Sequence, residues 1–297
     1  MQRSKGSTLK GIVTFSLLTA NVLFWSVPLM FVALLKFLVP VPAWRRMTSR
    51  GMIRAAEAWI STNNAIFGLM NALQLDARGT DDLRRKDWYL VISNHQSWVD
   101  ILVLQAVFNH HIPFLKFFLK QQLIWVPVLG LCWWALDFPF MRRHSPEYLA
   151  KHPGMRGKDL AATRKACEKF REIPTSVMNF VEGTRFTEEK RLRAKSPYKH
   201  LLPPKAGGAA YVLSAMGGTL RAMLDVTIVY RHGIPTLWDL CCGRLEPVIV
   251  DVRRRGIEDW TASGDYTEDK AFKKRFRDSL DVIWAEKDVL LDDLLKS

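Results

Sequence analysis

Up to Glu57 the chain has no aspartate or glutamate, although eight lysines and arginines fall in the same stretch. The shortage of acid persists: 43 Lys and Arg against 29 Asp and Glu give the 297 residues a formal charge of +14. Such a balance suits an acidic partner, whether nucleic acid, an anionic membrane or a phosphorylated substrate. Cysteine is sparse as well. The four cysteines show no CxxC or ligand-like spacing, and Cys241 and Cys242 are adjacent. That argues against a disulfide framework and fits a reducing compartment. No Ser or Cys sits beside a base in a nucleophile elbow, and no metal-ligand cluster stands out. His110-His111 is the nearest candidate and reads as an exposed loop pair. There is no internal repeat, no low-complexity tract and no nucleic-acid module, so the basic charge points toward lipid rather than DNA or RNA.

What is present begins with an uncharged run of 24 residues from Ile12 to Leu35, rich in Leu, Phe, Val and Trp. About 20 helical residues cross the hydrocarbon core of a bilayer. A signal peptide has a shorter apolar core and a small-residue cleavage site, which is not found here. Thr14, Ser16, Thr19, Asn21 and Ser26 temper the apolar character, Pro28 predicts a kink, and Pro40-Val-Pro42 predicts the end. Ala43 to Leu75 then reads as an amphipathic helix, with Arg46, Arg50 and Arg54 striping one face. Two arrangements stay open. The first helix spans the membrane, or the pair forms a hairpin dipped into one leaflet with its arginines on lipid phosphates. The denser basic residues after the apolar run put the main domain in the cytoplasm. Residues 1–75 are thus expected to anchor, and 76–297 to form the main domain.

Asp76 to Asp87 is polar and turn-rich. Tyr89 to Ile92 has the length and β-branching of a buried strand, and Trp98 to Phe108 reads as a helix. His95 falls at the junction, five residues before Asp100. Within one regular helix that spacing is about 140° of rotation, so the two would not share a face. With His95 in the loop, Asp100 reaches back to one ring nitrogen and leaves the other free. The pair is then a general base with its orienting carboxylate. On spacing alone, a structural capping histidine explains it as well.

Ile101 to Phe140 is apolar and aromatic, but Pro113, Pro127, Gly130 and Pro139 break it, so it is not one spanning helix. Its side chains pack a core or line a slot for an acyl chain. Lys116, Lys120, Arg142 and Arg143 punctuate it, and solvated positions are expected for them. Arg156 to Arg171 reads as a helix and Thr175 to Val181 as a strand that delivers Glu182-Gly183-Thr184-Arg185 into a loop. In an open α/β sheet ligands bind beyond the carboxyl ends of the strands, so the two loops are expected to meet. Gly183 allows close backbone approach, Arg185 offers a fork of donors suited to phosphate, and Glu182 can hold a hydroxyl or order Arg185. Val226–Tyr230 and Val248–Val252 read as further strands, Arg253-Arg-Arg255 as a solvated run or a phosphate contact, and Lys270 to Leu295 as a packing helix. The expected fold is α/β: a mostly parallel central sheet flanked by helices, preceded by an N-terminal membrane-associated two-helix motif.

Together, Asn94-His95-x4-Asp100 and Phe180-Val-Glu182-Gly-Thr-Arg185 resemble two motifs of the glycerolipid acyltransferase family, the group with the lysophosphatidic acid acyltransferases. Lys120-x2-Leu123-x3-Pro127-x2-Gly130 with Phe140-Met-Arg-Arg143 is similar to its second block, and Leu201-Leu-Pro-Pro-Lys205-x-Gly207 to its fourth. The match runs over roughly residues 85–235. Trp284-Ala-Glu-Lys-Asp288 resembles a subgroup with lysocardiolipin-type enzymes and bacterial relatives, which implies a bacterial inner membrane.

The resemblance implies that His95, oriented by Asp100, deprotonates a glycerol hydroxyl, which attacks the thioester of acyl-CoA or acyl-carrier protein. It implies that Glu182, Gly183 and Thr184 hold the acceptor and that Arg185 binds its phosphate, with Lys120, Arg143 or Lys205 assisting. It implies no cofactor and no metal. Lysophosphatidic acid is the first acceptor. Lyso-phosphatidylglycerol or lysocardiolipin is the second, and a silent lipid-binding protein that kept the fold is the alternative of another class.

Overall fold

The computed structural model describes residues 5–141, 167–258, 260–261, 266 and 269–296. The first element, α1 (Lys5–Leu38), is one continuous helix through Pro28. Among the described residues it is the one helix long and apolar enough to cross a membrane. Its hydroxyls turn inward on their own helix, Thr14 Oγ1 donating to the Lys10 carbonyl and Thr19 Oγ1 to that of Phe15, each at 2.8 Å. Back-bonding of this kind leaves little polarity on the outer face. The second helix, α2 (Pro42–Leu69), starts with proline at a position that has no intrahelical N–H partner to lose. Asn21 staples the two together, its amide donating to the Trp59 carbonyl at 3.0 Å and to Asn63 Oδ1 at 2.8 Å.

Six strands make the central sheet in the order β1-β8-β7-β2-β6-β3. They are β1 (Leu75–Arg78), β2 (Tyr89–Ser93), β3 (Leu115–Phe117), β6 (Ser176–Phe180), β7 (Ala222–Val229) and β8 (Val248–Arg255). All neighbours run parallel except β7 and β8. The expected mostly parallel sheet is the observed one. A short parallel pair, β4 (Leu119–Lys120) and β5 (Phe140–Met141), stands apart. The polar start of the 76–87 segment turns out to supply the edge strand β1: ladder bonds come from backbone, which a polar side chain does not forbid.

Strand alternation builds two cores. Tyr89 and Val91 of β2 face one with α2 and α3 (Val99–Phe108). Leu90 and Ile92 face the other, with α6 (Gly207–Met216) and the C-terminal α8 (Lys270–Lys296). Between them in sequence come α4 (Leu129–Ala135), α5 (Glu188–Arg193) and α7 (Leu237–Cys241). Leu29 of α1 and Met52, Ala56, Ile60 and Phe67 of α2 belong to the first core, so the helical pair packs into the domain. Arg142, Arg143 and most of the predicted helix over 156–171 lie outside the described residues.

α8 is pinned to the sheet by charge. Lys287, fully enclosed, makes an ion pair with Asp225 Oδ1 at 2.6 Å and donates to the Val226 carbonyl at 2.5 Å. Arg255 closes on Asp225 Oδ2 at 3.0 Å and on Glu286 at 2.6 Å, while Arg253 pairs with Asp251. Two of the three arginines at the end of β8 are therefore engaged within the protein, which removes them as free phosphate contacts.

Candidate active site

In the parallel pairing of β2 and β6, Ser93 lies opposite Phe180. Two residues beyond each strand end come His95 and Glu182, at the same level. The junction is tightly built. Asn94 is fully buried and mimics a ladder residue toward β7, accepting from the Ile228 N–H and donating to the Ile228 carbonyl, each at 2.9 Å. The His95 carbonyl accepts from the Phe186 N–H at 2.7 Å, tying the two loops together.

His95 sits before α3, as its spacing from Asp100 required, and its Nδ1 lies 2.8 Å from Asp100 Oδ2. The same oxygen accepts the backbone N–H groups of Gln96 at 2.6 Å and Ser97 at 2.9 Å, and Tyr230 donates its hydroxyl to Oδ1 at 2.7 Å. An acceptor-only carboxylate in that position assigns the imidazole proton to Nδ1 and leaves Nε2 with a lone pair. Nε2 has no hydrogen-bond partner among the described residues, and the His95 side chain is 15% exposed. The imidazole stacks on Phe180, with centroids 3.9 Å apart and planes 14° from parallel. Its rotation is thus fixed at one edge by Asp100 and on one face by Phe180.

Glu182 is 1% exposed and spans two loops, Oε1 accepting the His95 N–H at 3.0 Å and Oε2 the Leu202 N–H at 3.1 Å. Burial pushes its carboxyl up to about 8, against the pull of those two N–H groups. Neither oxygen addresses open space or Arg185, so the carboxylate faces backbone where the sequence reading had it hold an acceptor hydroxyl. The Leu202 carbonyl in turn accepts Trp284 Nε1 of α8 at 3.0 Å. A line of three hydrogen bonds therefore runs from the C-terminal helix to the backbone of His95.

Gly183 takes φ +71°, a left-handed conformation that glycine adopts without strain and that turns the chain after Glu182. Thr184 Oγ1 and the Arg185 carbonyl both accept from Lys190 Nζ, at 3.0 and 2.8 Å. The Arg185 guanidinium is exposed and lies over the Trp98 ring, 5.0 Å from its centroid. Lys205 meets the Glu182 loop through its backbone, its N–H donating to the Val181 carbonyl at 2.6 Å, while its side chain is exposed. Lys120 is exposed at the end of β4, opposite Met141. The predicted Arg143 lies outside the described residues.

Beside His95 an apolar groove of about 360 Å³ runs between α1 and the domain. Phe15, Leu18 and Val22 of α1 line one wall, and Trp98, Leu102 and Phe117 line the other. Phe117 reaches the Phe180 ring at 6.1 Å, which links the wall of the groove to the stacked imidazole through one intervening ring. Trp59 and Trp133 continue it toward a smaller hollow near Leu29 and Phe114. Two members of the site carry no motif in sequence, Tyr230 and Trp98 beneath Arg185, and Phe180 stands in the second motif without that motif showing it as a stacking partner. Among the described residues no group of three His, Cys, Asp or Glu could hold a metal ion.

These features can be set beside known proteins. A family model described as Acyltransferase matches residues 74–231, more than half of the chain. The chain is 25% identical over 221 residues to mouse 1-acyl-sn-glycerol-3-phosphate acyltransferase gamma, covering 70% of this chain and 54% of that protein. It is 27% identical over 222 residues to 1-acyl-sn-glycerol-3-phosphate acyltransferase 2 of Arabidopsis thaliana, covering 70% and 52%. The chain thus spans about half the length of the curated relatives it matches. Its fold is similar to the crystal structure of the 1-acyl-sn-glycerophosphate acyltransferase PlsC from Thermotoga maritima, with a TM-score of 0.55 over 93% of this chain and 95% of that one, at 17% identity. By its family match, and with the His95–Asp100 junction and the Glu182 loop inside the matched span, this chain belongs to the acyltransferase family.

Proposed function

We propose that the protein transfers a fatty acyl chain from acyl-CoA or acyl-carrier protein to the free hydroxyl of 1-acyl-glycerol-3-phosphate at a membrane, giving phosphatidic acid. The observation that carries this is the free Nε2 of His95, backed by Asp100 at 2.8 Å, with an apolar groove two ring contacts away through Phe180 and Phe117. Nε2 takes the acceptor's hydroxyl proton as its oxygen attacks the thioester carbonyl. The C–O ester bond forms, the C–S bond breaks, and the imidazolium returns the proton to the departing thiolate. Asp100 stabilises the imidazolium while it exists. The groove takes an acyl chain, and Arg185, stacked on Trp98, takes the acceptor phosphate as a planar cation. Lys120, Lys205 and Arg143 supplement it. The relatives named as acting on 1-acyl-sn-glycerol-3-phosphate support this acceptor.

The anchoring helices lie in one leaflet on this reading. α1 is fastened at both ends: Lys10 Nζ donates to the Asn71 carbonyl just past α2 at 3.3 Å, Gly11 beside it packs against Trp238 and Cys242 of the domain, and Lys36 Nζ reaches Asp137 at 2.9 Å. Those lysines are about 39 Å apart at ~1.5 Å per residue, so a crossing helix would carry the charged domain through the bilayer. Its outer face, with Phe24, Val27, Phe31 and Leu34 exposed, forms the membrane-facing surface together with exposed Trp125 and Trp134. The basic flank of the helices supports a cytoplasmic side for the domain.

The test is transfer of labelled oleoyl from oleoyl-CoA by membranes containing the protein, against a panel of lysolipids, with His95→Ala as control. Label in phosphatidic acid that vanishes in His95→Ala at equal abundance is expected. Activity indifferent to that substitution would sink the base assignment. Transfer to lyso-phosphatidylglycerol or lysocardiolipin would move the acceptor and keep the chemistry. No transfer from oleoyl-CoA, nor from oleoyl-acyl-carrier protein when the panel is repeated with that donor, would favour a silent lipid-binding role.

A further inference from the structure

At the opposite end of the sheet from His95, the start of β6 borders a second hollow, of about 220 Å³. From Thr175 at its rim to Phe180 beside His95 is about 16 Å, at ~3.3 Å per strand residue. Its lining is basic. Lys36, Arg45, Arg46, Lys116 and Lys169 stand around it, against the carboxylates of Asp137 and Glu172. Asp137 serves two of the lysines at once, at 2.9 Å each from Lys36 and Lys169. Arg45, Arg46 and Lys116 have no ion pair among the described residues.

Lys116 is the informative member. It sits on the edge strand β3, is 6% exposed, and touches the Phe170 ring at 4.5 Å. Burial depresses its ammonium to about 8, with the neighbouring Lys36 and Lys169 adding to the fall and Asp137 opposing it. A buried cation without a counter-ion is costly, and an anion seated among these side chains would remove that cost. The hollow lies at the turn of the α1–α2 hairpin, where Phe37, Leu38, Val39, Val41 and Met47 are exposed. Cations beside an apolar tip are placed at headgroup depth.

We propose that this hollow is a phosphate-binding site separate from the acyl-transfer centre, and that it seats the phosphate of an anionic phospholipid headgroup. Lys116 is its floor, and Arg45 and Arg46 close on the phosphate from α2. The volume accommodates a phosphate with a small polar substituent. Its occupant locks the hairpin to β3 and β6, because the cations come from α1, α2 and the sheet edge. The proposal does not depend on acyl transfer, and binding rather than turnover reads it out.

The experiment uses the full chain carrying Arg185→Ala, so that anion binding at the acceptor site does not contribute. Retained lipid is counted by native mass spectrometry after release from phosphatidylcholine nanodiscs with and without phosphatidylglycerol, and melting is followed with inorganic phosphate. Lys116→Met and Arg45→Gln/Arg46→Gln are compared with Arg50→Gln/Arg54→Gln, which removes the same charge from the same helix outside the hollow. Retained phosphatidylglycerol is expected in the parent and in the last variant, and at least fivefold less in the other two. A rise in Tm of about 5 °C with inorganic phosphate alone, absent from the same two variants, would establish the site with free phosphate as its ligand. Equal retention and melting in all variants, or equal loss in Arg50→Gln/Arg54→Gln, would overturn it.

Discussion

Tyr230 donates its hydroxyl to Asp100 Oδ1 at 2.7 Å from 130 residues further along the chain. Burial and the adjacent Asp100 raise the phenol well above its ordinary value, so it stays a donor at any working pH. Among the described residues it is the one side-chain donor to the Asp100 oxygen that does not face His95. Tyr230→Phe leaves that oxygen with one bond fewer in a buried place, a change of about 1 kcal/mol. We expect kcat to fall about fivefold with KM for both substrates nearly unchanged. Full activity in Tyr230→Phe would show that Asp100 is held well enough by Gln96 and Ser97 alone.

Glu182 gives a second prediction, with a pH sign. Its folded value of about 8 lies above the ordinary 4.5, so the folded state binds the proton more tightly than the unfolded one. Stability is therefore complete at low pH and declines as pH rises from about 4.5 to about 8. In Glu182→Gln the slope from this position disappears, which urea unfolding at pH 5 and pH 8 measures. Because the carboxylate supports the His95 N–H, the same variant should lose at least tenfold in kcat while acceptor KM moves less than threefold.

Arg185 should behave in the opposite way. Arg185→Ala is expected to raise KM for a phosphate-bearing acceptor at least tenfold and to spare the pH profile of kcat. Arg185→Lys should rescue little, since an ammonium neither stacks on Trp98 nor grips phosphate with two donors. Trp98→Ala should share the defect at smaller amplitude, about 0.5–1 kcal/mol for an exposed cation–π contact. Kinetics at varied acceptor concentration distinguish these outcomes from a loss of catalysis.

The groove predicts a change of chain length. Leu102→Trp adds bulk to its wall, so transfer of long acyl groups should drop relative to short ones by at least tenfold. Competition between labelled C18 and C10 donors reads the ratio. An unchanged ratio would remove the groove as the acyl site.

For Lys116 the pH argument runs the other way. Its folded value of about 8 lies below the ordinary 10.5, so the unfolded state binds the proton more tightly, and stability rises with pH between about 8 and 10.5. At pH 7 the full penalty applies. Lys116→Met in phosphate-free buffer should therefore be more stable than the parent by about 1–3 kcal/mol, with no slope from this site above pH 8. Chemical denaturation at pH 7 and pH 10 checks both.

Much of this was legible in the chain and some was not, for identifiable reasons. β2 and the junction at His95 follow from the four strand-forming residues Tyr89 to Ile92 and the helix-like run that begins at Trp98. A loop position for His95 was the one way its spacing from Asp100 could serve. Tyr230 could not be seen, because its approach depends on the register that sets Ser93 beside Val226. Lys116 read as a solvated charge, and its burial arises because β3 is covered from both sides by elements distant in sequence. The arginines ending β8 read as a free basic run until Asp225, Asp251 and Glu286 were brought to them by the fold. Glu182 was recognisable as a member of the site, but its partners are backbone N–H groups, which no side-chain pattern advertises.

The brace from Trp284 through Leu202 and Glu182 to His95 also imposes an order in time. α8 is made after every strand of the sheet, so a chain still emerging from the ribosome has its apolar first helix available to the membrane while Leu202 lacks Trp284 and Asp225 lacks Lys287. Until α8 docks the base stays unbraced, so on the proposed function thioester and lysolipid would meet a finished centre only after that step.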